Sequence, residues 1–538
     1  MGIRFNLPKK GWIYPLFIVI PGFCYYISFF NYGISLGDEG FFVYGAERVL
    51  QGQLPMSDFT SYPPGSYFLL ALLFKVFGVN LLVSRLMEMT FLIINGLLVF
   101  YVGKRLMPEK WALIPSFILI ISPGFWHKVF LTFGLLLPLI MLLRFLEKKT
   151  ITRILGVGWA IGIALIFRIE SALFSVITVF FVLFCNHIWK AGSFSLDKKA
   201  IFALLEEMLL CGLSAFSILI SVILYYYYQS DLVKFLNWLK ESYGASSIGW
   251  VSDFFGRPDP IKALTTFHIG SLKNLFFFLF ILLYLYGFSK IIIHYFILKK
   301  KSFPYILPVL IMGILSLSYA SIPFSKPHLL QVAAMGYILF GFIVYSFIEK
   351  KGVQSKVILF VLVLLLGLYI LDNFKMRSYF ASGSISRLYM IKKKGERLIP
   401  SKKARIYVEE NEFGTIHGLI QFFEKRDDYL MPLVFDPMIN FLTGLKNPTR
   451  FHILLPPFLE DRSNQKQVID AVERYKIQYL LVARAFWISQ DNLGFSRYAP
   501  ILYEFVIKHY ELEKEIGGYL IFSRQLIQNH MIQGGAER

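Results

Sequence analysis

The stretch of sequence that decides the fold is residues 37–78, GDEGFFVYGAERVLQGQLPMSDFTSYPPGSYFLLALLFKVFG. It follows the first long apolar segment of the chain and contains two adjacent carboxylates, Asp38 and Glu39. A third carboxylate, Asp58, precedes the proline-rich residues 62–65, which predict a turn. Acidic side chains are costly beside hydrocarbon and are usually functional there, so this stretch is a candidate site.

The composition is that of a membrane protein with several spans. Of 538 residues, 56% are hydrophobic and only 17% are charged, and the mean hydropathy is +0.57. A soluble chain of this length would carry more charge. The net charge of +20 would suit a nucleic-acid partner, but the basic residues are spread through short loops between apolar runs, as the positive-inside rule describes. We therefore expect a membrane lipid environment and no nucleic acid.

The apolar pattern predicts a polytopic α-helical membrane protein with about eleven transmembrane helices. The expected spans are residues 12–31, 81–102, two segments flanking 122–128, and then 154–167, 171–189, 202–228, 272–298, 304–322, 329–348 and 357–371. Lys9 and Lys10 precede the first span, which predicts a cytoplasmic N-terminus in the plasma (inner) membrane. The odd count then places the first external loop, residues 34–80, and the C-terminal part on the outer side. Within that loop, residues 41–51 predict an amphipathic helix at the membrane interface.

The composition changes near residue 401, so we expect three parts. These are a transmembrane catalytic domain at 1–374, a linker rich in Lys, Arg and Ser at 375–400, and a small extracytoplasmic α/β domain at 401–538. In the last part, strands are expected at 405–409, 430–435 and 478–482, and helices at 415–425 and 465–475.

The motifs of the first loop resemble those of the GT-C glycosyltransferases. The resemblance lies in the Asp-Glu pair, in QGQLP at 51–55, in Asp58-Phe59 and in YPPGSY at 62–67. More narrowly, it points to the bacterial branch related to protein O-mannosyltransferases and lipid A aminoarabinose transferases. It implies a GT-C fold and a sugar donor linked to a polyprenyl phosphate, used on the outer face of the membrane.

Such a transfer needs a base for the acceptor hydroxyl and positive charge for the departing phosphate. Asp38 stands where the resemblance implies the family's catalytic aspartate, and the alternative is a helix cap or an interfacial anchor. Glu39 is expected to orient the acceptor or hold a divalent metal ion, and its alternative is a solvated neighbour. Asp58 is a candidate for substrate or ion binding, although turn formation is the commoner role. Tyr62 is a further substrate-binding candidate, and metal dependence stays open.

Four basic residues are candidates for binding the donor phosphate: Arg168, Lys326, His328 and Lys128. Three of the four also have an alternative role. Arg168 and Glu170 are close enough in sequence to form a structural ion pair. The alternative for Lys326 is a lysine whose ammonium group extends to the membrane interface. The alternative for Lys128 is a partner of Trp126 in the aromatic belt.

The resulting hypothesis is an inverting glycosyltransferase that moves a sugar from a polyprenyl-phosphate donor to a glycan, lipid or protein of the cell envelope. One alternative is a transporter or flippase of lipid-linked sugars, for which charges near the membrane centre and two similar halves are expected. Another is an envelope glycan polymerase or ligase, which would not need the Asp-Glu pair at this position.

Overall fold

The computed structural model describes residues 12–122, 128–190, 193–194, 197–229, 231–242, 272–293, 305–322, 326–349, 363–364, 367, 396–424, 426, 429–454, 456–489 and 494–525. The chain folds as two compact units. The helical unit comprises Met1–Ile34, Ala46–Glu396 and Ala404–Tyr407. The α/β unit comprises Ser35–Gly45, Arg397–Lys403 and Val408–Arg538.

The apolar segments form helices, as expected for a polytopic helical membrane protein. Up to residue 349 the helices are Ile13–Ile27, Asp38–Leu50, Pro64–Phe77, Leu81–Gly103, Glu109–Ile121, Val129–Glu147, Ile151–Phe167, Ile169–Ile188, Lys198–Tyr228, Leu232–Ser242, Leu272–Ile292, Ile306–Ala320, Lys326–Val332 and Ala334–Glu349. Among the described residues, four helices are long and apolar enough to cross a membrane, and six more are apolar but shorter. The predicted span at 357–371 lies almost wholly outside the described residues, so the count of eleven stays a prediction.

Small residues let two neighbouring helices of the helical unit approach closely. A Cβ at Gly162 would lie 2.8 Å from the side chain of Ile218, and a Cβ at Gly158 would lie 2.8 Å from that of Ser214. Ser214 also donates a hydrogen bond from its hydroxyl to the Leu155 carbonyl at 2.6 Å. Close packing of this kind holds membrane helices together where lipid gives no hydrophobic driving force between them.

The first loop contains more helix than its sequence suggests. The helix predicted at 41–51 is confirmed, although it begins earlier, at Asp38, and ends at Leu50. Its location at the membrane interface stays a prediction. The expected turn at 62–65 is wrong, because Pro63 precedes and Pro64 begins the 14-residue apolar helix Pro64–Phe77. Proline suits the first helical position, since its missing N–H would find no partner there anyway.

The α/β unit is built on a four-stranded mixed sheet in the order β5-β6-β8-β7. Its strands are β5 Met431–Pro432, β6 Tyr479–Ala483, β7 Tyr510–Ile516 and β8 Tyr519–Arg524. The other strands in the part of the chain that the structure describes are the short β1 Trp189–Lys190, β2 Ser193–Phe194, β3 Glu396–Leu398 and β4 Tyr407–Glu409. Within the four-stranded sheet, β5 and β6 run parallel, whereas β6 and β7 each pair antiparallel with β8. The helices after residue 400 are Glu410–Phe423, Met438–Thr443, Pro456–Leu459, Arg462–Arg474, Arg484–Ile488, Phe495–Tyr498 and Pro500–His509.

The strands and helices expected in this part are found at shifted positions. The strand expected at 430–435 is reduced to two residues, and the one at 405–409 to three. The hairpin formed by β7 and β8 was not expected, and it closes through Gly517 and Gly518, both with positive φ.

Candidate functional site

Two glycines fix the backbone on either side of Asp38 and Glu39. A Cβ at Gly37 would lie 2.7 Å from the Phe435 carbonyl oxygen, and a Cβ at Gly40 would lie 2.7 Å from the Cα of Met438. Real Cβ atoms do not approach so closely, so both positions require glycine. The acidic pair is therefore held by a tight backbone contact within the α/β unit.

The two carboxylates of this pair have different environments. Asp38 is the first residue of its helix and is half-buried, whereas Glu39 is fully buried. A Glu39 carboxylate oxygen accepts a hydrogen bond from the Ser35 backbone N–H at 3.3 Å. Both carboxylates benefit from the positive end of the helix dipole. Glu39 is thus not a solvated neighbour, while Asp38 keeps the exposure that a base acting on a substrate needs.

Aromatic contacts fix the next turn of the same helix. The Tyr44 hydroxyl accepts a hydrogen bond from the Asn447 backbone N–H at 2.7 Å. The buried His452 ring lies 5.4 Å from the Phe41 ring and 4.9 Å from the Tyr44 ring. The start of the helix is therefore anchored within the α/β unit by its own side chains as well as by its glycines.

Asp436 is a further candidate that the sequence did not reveal. It follows Phe435, the residue against which Gly37 packs, and it accepts a hydrogen bond from the Tyr519 hydroxyl at 2.7 Å. Burial raises the pKa of the Asp436 carboxyl, and the hydrogen bond from Tyr519 opposes that shift. The Asp-Pro sequence at 436–437, directly after the expected strand, was the available signal.

Asp58 organises the loop that precedes Tyr62. One carboxylate oxygen accepts a hydrogen bond from the Leu54 backbone N–H at 2.8 Å, and the other lies 3.6 Å from Lys234 Nζ. A hydrogen bond to Asp231 is the largest cause that raises the pKa of Lys234, and Asp58 adds to it. These contacts order residues 54–58 and not the proline-rich residues 62–65, so the part that Asp58 plays at the site stays a prediction.

Arg168 is buried against Tyr62. Its guanidinium carbon lies 4.2 Å from the centre of the Tyr62 ring, and the side chain is only 4% exposed. Its Nε is 3.5 Å from a Glu170 carboxylate oxygen, and its Nη2 donates to the Tyr319 hydroxyl at 3.4 Å. The ion pair with Glu170 is present, but the guanidinium also joins two tyrosines from distant parts of the chain.

Lys128 and His328 form a second buried basic group in the helical unit. Lys128 Nζ lies 3.1 Å from His328 Nε2, and both residues are buried. A lysine ammonium has only donors, so it donates to an unprotonated imidazole nitrogen here. Lys326 begins the helix Lys326–Val332, but its side chain lies outside the described residues. Trp126, the expected neighbour of Lys128, lies outside them as well.

The two basic groups belong to the same end of neighbouring helices. The rings of Phe130 and Phe167 stack with their centres 5.0 Å apart. Phe130 lies in the first turn of Val129–Glu147, and Phe167 is the last residue of Ile151–Phe167. Because Lys128 and Arg168 adjoin these helix ends, the fold gathers buried positive charge at one end of the helical unit.

The described residues do not by themselves provide a metal site. Within the described ranges, no three His, Cys, Asp or Glu side chains lie close enough together to hold an ion. Asp38 and Glu39 offer two carboxylates, which is fewer than the ligands that divalent ions usually take from protein.

Comparisons with known proteins agree with this architecture. Residues 61–226 match the family model described as dolichyl-phosphate-mannose-protein mannosyltransferase. A search of curated protein sequences gave no match.

Solved structures of similar fold cover nearly the whole chain. The oligosaccharyltransferase AglB from Archaeoglobus fulgidus, with an inhibitory peptide and a dolichol-phosphate, has a TM-score of 0.55 at 11% identity, over 96% of this chain and 74% of that one. ArnT from Cupriavidus metallidurans, bound to undecaprenyl phosphate, has a TM-score of 0.51 at 10% identity, over 96% and 98%. The Archaeoglobus fulgidus oligosaccharyltransferase in complex with Zn and sulfate has a TM-score of 0.50 at 12% identity, over 94% and 73%.

The likeness at this identity concerns the fold, and the family-model match adds a sequence signal over residues 61–226, which include Tyr62, Lys128 and Arg168. Together they show that the chain has the fold of the GT-C membrane glycosyltransferases and is similar to them in sequence over residues 61–226.

Proposed function

We propose that the protein is an inverting glycosyltransferase that moves a sugar from a polyprenyl-phosphate donor to a glycan, lipid or protein acceptor on the outer side of the membrane. The observation that carries the proposal is the buried positive charge of Arg168 and Lys128 at one end of neighbouring helices. Cations inside a membrane protein are expensive and usually serve an anionic ligand or a charge pathway. A lipid phosphate is such an anion.

The donor phosphate is the leaving group of the proposed reaction. Arg168 presents a planar guanidinium that suits phosphate oxygens, and the Lys128–His328 pair adds a second set of nitrogen donors. Among the similar structures, AglB was solved with a dolichol-phosphate and ArnT with undecaprenyl phosphate. These ligands support a lipid phosphate as the class of donor for this chain.

Asp38 is the base in this proposal. The acceptor oxygen forms a bond to the anomeric carbon while the bond from that carbon to the phosphate oxygen breaks. The acceptor proton passes to the Asp38 carboxylate, and the lipid leaves as polyprenyl phosphate with the bonding electron pair. A single displacement of this kind inverts the anomeric configuration. Glu39, fixed by the Ser35 N–H, would hold the backbone of the base in place.

A divalent metal ion stays a proposal for the acidic pair. Asp38 and Glu39 are the residues that would hold such an ion, but two carboxylates are fewer ligands than it usually takes, so no step of the transfer is assigned to it. Treatment of the purified protein with a chelator tests it, since full transfer after treatment would contradict a metal role. Transfer restored by Mg²⁺, Mn²⁺ or Zn²⁺ would support it.

Mass spectrometry of the cell envelope tests the proposed function as a whole. A strain lacking the protein should lose one sugar from an envelope glycan, lipid or protein and should accumulate the corresponding polyprenyl-phosphate sugar. The wild-type chain should reverse both changes. A transporter would instead leave the lipid-linked sugar on the wrong side of the membrane, and purified protein would then show no transfer. An envelope unchanged by deletion would contradict the proposal.

A further inference from the structure

Three helices of the helical unit meet at a buried polar junction. Asn95 of Leu81–Gly103 donates from Nδ2 to the Val129 carbonyl at 3.1 Å. Thr132 Oγ1 donates to the Gln331 carbonyl at 2.6 Å, which joins Val129–Glu147 to Lys326–Val332. Both contacts lie in the first turn of Val129–Glu147, directly after Lys128.

The two amide side chains at this junction have buried polar atoms without partners. Gln331 and Asn95 are each 1% exposed. Within the part of the chain that the structure describes, Gln331 Oε1, Gln331 Nε2 and Asn95 Oδ1 have no hydrogen-bond partner. Proteins leave very few buried polar atoms unpaired, and each one needs an explanation such as a bound water, an ion or a ligand. Three such atoms at one junction indicate a binding function.

The junction adjoins the basic pair that is proposed to hold the donor phosphate. His328 and Gln331 are three residues apart on one helix and share a face. His328 contacts Lys128, and Lys128 precedes Val129, whose carbonyl binds Asn95. The amides of Gln331 and Asn95 are therefore neighbours of the basic pair, and of any ligand that this pair binds.

We propose that Gln331 and Asn95 recognise hydroxyl groups of the sugar carried by the donor, so that they set donor specificity; this inference rests on the proposed function. An amide offers both a donor and an acceptor, as a hydroxyl does, and it carries no charge. A second phosphate would call for further cations, and an isoprenoid chain would call for apolar side chains. A neutral ring with several hydroxyls is the group that fits two amides beside a phosphate site.

Binding measurements separate the sugar from the lipid phosphate. The probes are undecaprenyl phosphate alone and undecaprenyl phosphate carrying glucose, mannose or 4-amino-4-deoxyarabinose, each titrated against the full-length protein in nanodiscs. The wild type should bind at least one sugar-bearing lipid about tenfold more tightly than the bare lipid, the gain expected from one or two buried hydrogen bonds. Gln331→Met, of nearly equal length, should abolish that preference and leave the affinity for the bare lipid unchanged.

Two further measurements keep the test decisive. Gln331→Met should raise or preserve the thermal unfolding midpoint, because an apolar side chain replaces an unpaired amide. Gln331→Glu should rank the sugars differently from the wild type, and Gln229→Leu, at an exposed glutamine, should change nothing.

Three results would overturn the inference. One is equal wild-type affinity for the bare lipid and every sugar-bearing lipid. Another is an equal loss of both affinities in Gln331→Met, which would mark the residue as structural. A wild type that does not bind undecaprenyl phosphate at all would overturn the proposed function itself, and the inference with it.

Discussion

Arg168 is the residue on which the assignment of the phosphate site depends most. Arg168→Ala and Lys128→Ala should each raise the donor concentration needed for half-maximal transfer about tenfold or more, because a charge-assisted hydrogen bond is worth about 1.5–3 kcal/mol. Lys148→Ala, at an exposed lysine beyond the opposite end of Val129–Glu147, is the matched control. Donor titrations on variants of equal yield measure the effect. If Arg168→Ala only lowers thermal stability and leaves donor dependence unchanged, the ion pair with Glu170 is its whole role.

Asp436 makes a second prediction at the residue scale, which concerns pH. Its pKa is raised in the folded protein, so the folded state binds this proton more tightly than the unfolded state does. The stabilising contribution is complete below the ordinary carboxyl pKa and is lost as pH rises through the raised value. Melting midpoints of the wild type should therefore fall over that window, and Asp436→Asn should flatten this part of the profile.

Tyr519→Phe provides the complementary variant for Asp436. It removes the hydrogen bond that lowers the pKa of Asp436, so the loss of stability should extend to higher pH than in the wild type. Identical pH profiles for the wild type, Asp436→Asn and Tyr519→Phe would contradict the raised pKa.

At the scale of elements, the close contact of the helix Asp38–Leu50 with residues 435–438 predicts the effect of one added methyl group. Gly40→Ala places a Cβ 2.7 Å from the Met438 Cα, and overpacking of this kind costs about 1–3 kcal/mol. It should also lower transfer, because the acidic pair precedes Gly40 directly. Gly414→Ala lies in an open helical position and should instead stabilise the protein by about 0.5–1 kcal/mol. Differential scanning fluorimetry compares the two, and equal stability of both variants would contradict the contact.

The sequence predicts the elements where one periodicity dominates and misses them where tertiary contacts decide. The helix Lys198–Tyr228 follows from its long apolar pattern, whereas Pro64–Phe77 was hidden by Pro63 and Pro64 at its start. Strand β7 was missed because its side chains are mostly charged and exposed at the edge of the sheet. The proposal that Asp38 is the base comes from its sequence context. The unpaired amide of Gln331 is not, since its burial arises only when distant helices pack together.

At the scale of the whole molecule, the positive-inside pattern predicts that residues 401–538 lie on the outer side of the membrane. Alkaline phosphatase fused after Arg538 should be active, because this enzyme needs the oxidising exterior. The same reporter fused after Lys149, in a loop rich in basic residues, should be inactive. The reverse pattern of reporter activity would contradict the predicted topology. Because Asp38 and Glu39 belong to the same compact unit as residues 408–538, the acidic pair would then lie on the cytoplasmic side.

The central claim is that Asp38 is the base of a glycosyl transfer. Asp38→Asn keeps the size of the side chain and removes the base, so the variant should insert and fold as the wild type does. General-base catalysis contributes on the order of a hundredfold to ten-thousandfold, so transfer should nearly vanish. Glu39→Gln should reduce transfer less, unless Glu39 holds a metal ion. Asp461→Asn, which keeps the side-chain oxygen that accepts from Ser463 N–H at a helix start, controls for loss of a carboxylate in the same unit.

The most direct measurement is sugar transfer from a polyprenyl-phosphate donor by purified wild type and Asp38→Asn, reconstituted in lipid at matched yield. The account predicts transfer by the wild type and almost none by Asp38→Asn, with equal melting midpoints. Near-normal transfer by Asp38→Asn would contradict it.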